Sequence, residues 1–200
     1  MQQNTSGTEK SEIINKSNKL QRSDAQENFG LILEAAQSVF EELGVDAPVR
    51  EVAKKAGVGI GTLYRHFPER SDLIKAIVQN GIDQCANAAI QIASDHKPEE
   101  AIALWMQELV GLLKTKRGLA TALHSGNMAY KSLPDYFLDH LKPALKTLLE
   151  SAEANGSIKP NIDAGELLMA ATRIATPASE GDIDQARRMI TLLVDGLRSY

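Results

Sequence analysis

The sequence predicts an all-α fold of about nine helices. Three observations carry that expectation. From residue 24 onward, apolar residues recur at spacings of three and four in one segment after another. Glycine and proline fall between those segments, where helices start and stop. No stretch shows convincing period-two alternation, nor an Asn-Gly turn between β-branched runs, so no sheet is expected.

Residues 1–23 are rich in Gln, Asn, Ser, Thr and Lys, too polar to bury much surface, and are expected to form a flexible tail. Leu31, Ile32, Ala35, Ala36, Val39, Phe40 and Leu43 then mark an amphipathic helix from about Asp24 to Gly44. Pro48 suits a first helical position, and Val49, Val52, Ala53 and Ala56 share one face of a short helix that Gly57 stops. A third helix, Ile60 to Phe67, closes at Pro68. Ser71 is placed to cap a long helix running through Ile74, Val78, Ile82, Cys85 and Ala89 to about Ser94, which would join two domains. Pro98 opens a helix to about Thr115, followed by a shorter one from Arg117 to about Ser125. Pro134 opens the next, reaching Asn155-Gly156, with Pro143 expected to kink or split it. Asp163 with Glu166 has the spacing of a capping box for a helix ending before Pro177, and Asp182 opens the last one.

Composition narrows the function classes. The chain has 200 residues, 22 Lys and Arg against 26 Asp and Glu, and a net charge of −4. No apolar run reaches the ~18 residues of a membrane span. The polar N-terminus lacks a secretory h-region, so a cytoplasmic protein without membrane association is expected. The single cysteine, Cys85, reads as a small buried hydrophobe. His66, His96, His124 and His140 sit at no metal spacing, and neither H-E-x-x-H nor G-x-S-x-G occurs, so no metal, cofactor or enzymatic activity is expected. Gly57, Gly59 and Gly61 follow a helix rather than a strand and lack the spacing of a dinucleotide loop. Charge is uneven: residues 50–75 carry a net +3 and residues 81–200 a net −3. A local basic footprint points to an anionic partner.

Residues 49–67 supply the geometry for that footprint. Val49, Val52, Ala53 and Ala56 lie inward on the first short helix, with Arg50, Glu51, Lys54 and Lys55 outward. On the second, Ile60, Leu63 and Phe67 lie inward, with Gly61, Thr62, Arg65 and His66 outward. Helices this short are marginal alone, so they must cross on the preceding helix, Ala53 permitting a close approach and Gly57 a left-handed turn. Such a pair is a helix-turn-helix, whose second helix enters the DNA major groove. Arg50, Lys54, Thr62, Tyr64, Arg65, His66 and Arg70 are the candidate base and phosphate contacts, with Gly61 letting the backbone come close.

The segment VREVAKKAGVGIGTLYRHFPERSDLI, residues 49–74, resembles the DNA-binding domain of the tetracycline-repressor (TetR) family of bacterial transcription regulators. Ala53, Gly57-Val58, Thr62-Leu63-Tyr64, Phe67 and Leu73 stand at the family spacing, and WMQELVGLLKTKRGLATAL at 105–123 is similar to the SbtR-like subgroup. The resemblance implies a DNA-binding domain over 24–72 and an effector-binding and dimerisation domain over 73–200. It implies a homodimer on a palindromic double-stranded operator, released by a small molecule of unknown identity. It adds Ile60 to the DNA contacts, against the wheel that turns it inward. Phe29 and Gly59 depart from the family, which often has Arg and a Ser or Thr cap there.

In the C-terminal region Trp105, Met106, His124, Met128, Tyr130, Phe137 and Arg173, with Tyr136 and Met169, are candidate effector contacts. Lys114, Lys116 and Arg117 read as a solvated helix end. The last two helices are too apolar for the remaining chain to cover, which makes Leu168, Ala171, Met189, Ile190, Leu193 and Leu197 candidate dimer contacts. The expected activity is sequence-specific repression relieved by a ligand. The alternative is a DNA-organising or occlusion protein on the same fold that spreads along DNA without one.

Overall fold

A computed structural model describes residues 26–175 and 183–199; the predicted tail and the Asp182 cap lie outside the described residues. Nine α-helices and one 3₁₀ turn are formed among them. Helix α1 covers 26–43, α2 Val49–Ala56, α3 Ile60–His66, α4 Arg70–Asp95, α5 Pro98–Gly118 and α6 Ala120–Leu123. The turn Met128–Tyr130 precedes α7 (Leu133–Ala154), α8 (Ala164–Ala175) and α9 (Ile183–Asp195). No helix among the described residues is long and apolar enough to cross a membrane. The chain divides into two compact units, Met1–Leu73 and Ile74–Tyr200, and α4 runs through the division.

In the N-terminal unit Ile32, Leu33, Ala36, Val39 and Phe40 of α1 are buried. The same core holds Val52 and Ala53 of α2, Leu63 of α3, and Phe67. Leu31 and Leu43, expected inside, are exposed. Leu31 sits on the flank of the apolar stripe, and Leu43 ends its helix just before the chain turns away at Gly44. Pro48 takes the N-cap rather than the first helical position. Gly57 ends α2 with φ +69°, and the N–H groups of Gly57 and Val58 donate to the carbonyls of Lys54 and Ala53. Only glycine enters that left-handed turn without strain. The expected Ser71 cap is not formed. Ser71 lies inside α4 and donates to Glu69 Oε2, while Asp72 Oδ2 accepts from the Glu69 N–H at 3.0 Å and the Glu69 carbonyl receives the first helical N–H groups. Asp72 is three residues after the cap, where a carboxylate can reach back.

The C-terminal unit is arranged around α5, which packs on α7, α8 and α9. Ile102, Trp105, Met106 and Leu109 of α5 are fully buried. Trp105 Nε1 donates to the Cys85 carbonyl at 2.8 Å, joining α5 to α4. Cys85 is buried as expected, and burial, with Glu108 nearby, pushes its thiol up to about 12. Gly81 lets α4 approach α5, because a β-carbon there would stand 3.0 Å from Leu112 Cδ1. Pro143 does not split α7, which is one helix. Asp163 Oδ1 accepts from the Glu166 N–H at 2.8 Å, and that bond holds the Asp163 carboxyl below the usual range, as expected of a cap at α8. The extended pairing among the described residues is one antiparallel bridge, Ile158 to Arg198, which ties the α7–α8 connection to the segment after α9.

Trp105 and Met106, expected among the effector contacts, are core residues here: both are 0% exposed in the middle of the bundle, and neither lines the cavity described below. Replacing Trp105 with Ala is expected to lower unfolding free energy by about 3–5 kcal/mol in a denaturant titration, the usual cost of emptying a buried aromatic site.

Candidate nucleic-acid interface and apolar cavity

Helix α3 has seven residues and no side-chain cap; Gly59 receives the N–H groups of Thr62 and Leu63 on its carbonyl instead. Leu63 and Phe67 anchor the inner side. The outer side presents Gly61, Tyr64 and Arg65, all exposed, with Thr62 and His66 half-buried at the edges. Ile60 is 45% exposed, so the inward position read from the helical wheel is corrected. It is the first residue of α3, beyond the reach of the packing made by Leu63 one turn on. On α2, Arg50 is 78% exposed and 3.5 Å from Glu51, and Lys54 is exposed. The outward faces of α2 and α3 thus bring together Arg50, Lys54, Ile60, Gly61, Thr62, Tyr64 and Arg65.

Arg70 sits differently. Its Nη1 donates to the Val45 carbonyl at 2.6 Å and its Nη2 to the Ala47 carbonyl at 2.7 Å, and the guanidinium lies 5.9 Å from the centre of the Phe40 ring. The planar fork closes the loop between α1 and α2, a geometry a lysine cannot copy. Phe29 also has a visible task. Its ring is 5.2 Å from Phe67 and 6.2 Å from His66, so it continues the inner packing of α3 onto the start of α1. Lys55, outward on α2, returns to α1 through Ser38 and Glu42 at 2.6 and 2.7 Å, and it lowers the Glu42 carboxyl.

In the C-terminal unit a cavity of about 200 Å³ opens among α4, α5, α6, the 3₁₀ turn and α7. Val78, Ile82, Leu112, Leu123 and Leu133 give it aliphatic walls, Tyr130 and Phe137 aromatic ones. Lys116 and His124 are the basic side chains that line it. Three predicted effector residues, His124, Tyr130 and Phe137, meet there. Met128 is 72% exposed and lines none of it, and Arg173 with Met169 borders a separate groove between α7 and α8. Tyr136 faces α4, where its hydroxyl donates to Asp83 at 2.7 Å.

The N-terminal geometry has a counterpart among known proteins. Residues 32–77 match the model of bacterial regulatory proteins of the tetR family, and residues 97–199 match that of the C-terminal domain of SbtR-like transcriptional regulators. The chain belongs to the TetR family. It is similar to an HTH-type transcriptional regulator of Staphylococcus aureus (strain USA300), 32% identical over 131 residues that cover 60% of this chain and 71% of the relative. The crystal structure of a TetR regulator from Streptomyces coelicolor shares 34% identity at a TM-score of 0.72, covering 85% of this chain and 98% of that one. One from Mycobacterium vanbaalenii shares 27% at 0.69, covering 89% and 99%. The protein is a helix-turn-helix transcriptional regulator of this family, in an all-α fold with an N-terminal DNA-binding unit.

As a TetR regulator the chain shows which residues sequence reasoning missed. Lys116 follows Leu112 by four positions, so both lie on one face of α5, but only the gap left between the helices makes that face a cavity wall. The loop-closing bonds of Arg70 span 23 and 25 residues and leave no local pattern. In the N-terminal unit, Arg70→Lys and Arg70→Ala are both expected to lower stability, by about 1–3 kcal/mol, because either leaves a carbonyl without its charged donor. Thermal or urea unfolding checks this. A lysine variant as stable as the parent would assign the residue to phosphate contact instead.

Proposed function

We propose that this TetR regulator is a dimeric repressor that binds a palindromic operator through α2 and α3 and leaves it when a small molecule fills the cavity beside α4. The observation that supports the reading most is the course of α4. One continuous helix of 26 residues, about 39 Å at 1.5 Å per residue, starts directly after the recognition helix and supplies Val78 and Ile82 to the cavity wall. A ligand that favours one position of that helix acts on the operator-binding end through a covalent connection. A coupling of ~1–3 kcal/mol reduces operator affinity ~5–150-fold, and operator DNA then weakens ligand binding equally. No specific observation favours spreading along DNA.

Arg50 and Arg65 read bases, since both are exposed on the groove-facing side and a guanidinium matches the acceptor pair of guanine. Tyr64, Thr62 and the Gly61 backbone position the helix against phosphates, with Ile60 at the groove and Lys54 on the flanking strand. His66, half-buried beside Phe29, is a weaker candidate.

The second copy covers α8 and α9. Leu168, Ala171 and Ile190 are each 0% exposed within one subunit, so a partner has nothing of them to cover and the expected list is corrected. Leu193 and Leu197 are half-buried. The apolar residues left open are Met189 and Leu192, which is 64% exposed, three apart on α9, with Met169 on α8.

Arg65→Ala and Arg50→Ala are expected to weaken operator binding by ~1–3 kcal/mol more than binding to random DNA, measured by fluorescence anisotropy against both. Equal losses on the two DNAs would make them phosphate contacts. Leu192→Glu with Met189→Glu is expected to give folded monomers in sedimentation velocity, with operator affinity lost; a variant that stays dimeric would move the interface off α9.

A further inference from the structure

The cavity walls and its mouth differ in a way that names a ligand class. Inside, Ile82, Leu112 and Leu133 are buried and apolar. At the mouth stand two exposed basic side chains, Lys116 and His124, and no carboxylate lines the site. That is contrary to the charge of the surroundings, since residues 81–200 hold 15 acidic residues against 12 basic ones. Lys116 makes no ion pair among the described residues, whereas Lys55 and Lys146 each hold a glutamate. Its ammonium lies 5.9 Å from the centre of the Phe137 ring, so the cation is held toward the cavity rim rather than extended into solvent. His124 Nδ1 is 2.8 Å from the Ala120 carbonyl. A carbonyl only accepts, so Nδ1 carries the hydrogen and Nε2 of the neutral ring is an acceptor, which leaves the Lys116 ammonium as the donor at the mouth.

We infer that the cavity binds a compact organic carboxylate, its aliphatic or aryl-alkyl body among Ile82, Leu112, Leu133 and Phe137 and its carboxylate at the mouth on Lys116. The volume, below the ~300–1,000 Å³ of sites for drug-sized ligands, sets the limit on size. An ammonium ligand is repelled by the Lys116 charge, and a neutral amide accepts a hydrogen bond from Lys116 but has no opposite charge to pair with it. This rests on the reading of the cavity as the effector site and adds the chemistry of the effector.

The test is calorimetric titration of the full-length protein with matched probes: octanoate against octanamide and octylamine, and 3-phenylpropanoate against its amide. Each carboxylate is expected to bind at least about tenfold tighter than its amide, with the amine weakest. Lys116→Met keeps the stem on Phe137 and is expected to erase the preference for the acid while leaving amide binding as it was. Leu112→Trp fills the cavity and is expected to abolish binding of both. Equal binding of acid and amide, or a preference that survives Lys116→Met, overturns the carboxylate assignment and leaves the cavity a ligand site. No binding by any probe, with Leu112→Trp indistinguishable from the parent, overturns the cavity reading itself.

Discussion

A seven-residue helix does not persist in water by itself, and α3 is one. Its existence depends on Leu63 and Phe67, 1% and 3% exposed, entering the core that α1 and α2 provide. Burying two such side chains contributes about 3–6 kcal/mol, enough to offset the unfavourable nucleation of a short helix whose N-terminus has no side-chain cap. The residues of α3 proposed to touch DNA stand on the opposite side of that anchor. The same contact that holds the helix therefore sets which residues face outward. Phe29 extends it at one end, and Arg70, by closing the α1–α2 loop, holds α1 and α2 to the positions that Leu63 and Phe67 require.

The C-terminal unit uses a different economy of residues. Its central helix α5 has a wide buried apolar face and carries Trp105, whose indole N–H joins it to α4 through the Cys85 carbonyl. Gly81 brings the same two helices close near Leu112. Beyond these contacts, where α5 ends and the short α6 and the 3₁₀ turn intervene, the helices no longer fill the space between them. The cavity occurs where regular packing runs out. The two basic residues at its mouth stand at the last turn of α5 and at the C-cap of α6.

Periodicity carried most of the fold, because helices announce their buried face every three or four residues. The α2–turn–α3 pair was legible down to Gly57, since a left-handed turn between two apolar stripes requires a residue without a side chain. Ile60 was misplaced by the wheel because an end residue shares the angle of a buried face without having a neighbour above it. Trp105 shows the opposite error: a polarisable residue on an apolar helix reads equally well as pocket or core, and only tertiary packing separates them. Arg70 and Lys116 needed the structure too, one because its partners are distant in sequence, the other because cavities arise between helices. Apolarity alone places Leu168 and Ile190 among dimer contacts, since it does not say which of two helix faces a neighbour in the same chain already covers.

In the proposed complex the anchored α3 reads a palindromic operator as part of a symmetric pair. Selection of binding sites from random double-stranded DNA with the full-length protein, followed by footprinting on the enriched sequence, tests it most directly. One short palindrome is expected, its half-sites about one helical turn apart, ~34–36 Å, and protected as a single discrete footprint. Enrichment of no palindrome, or protection that spreads cooperatively from many sites, would contradict it.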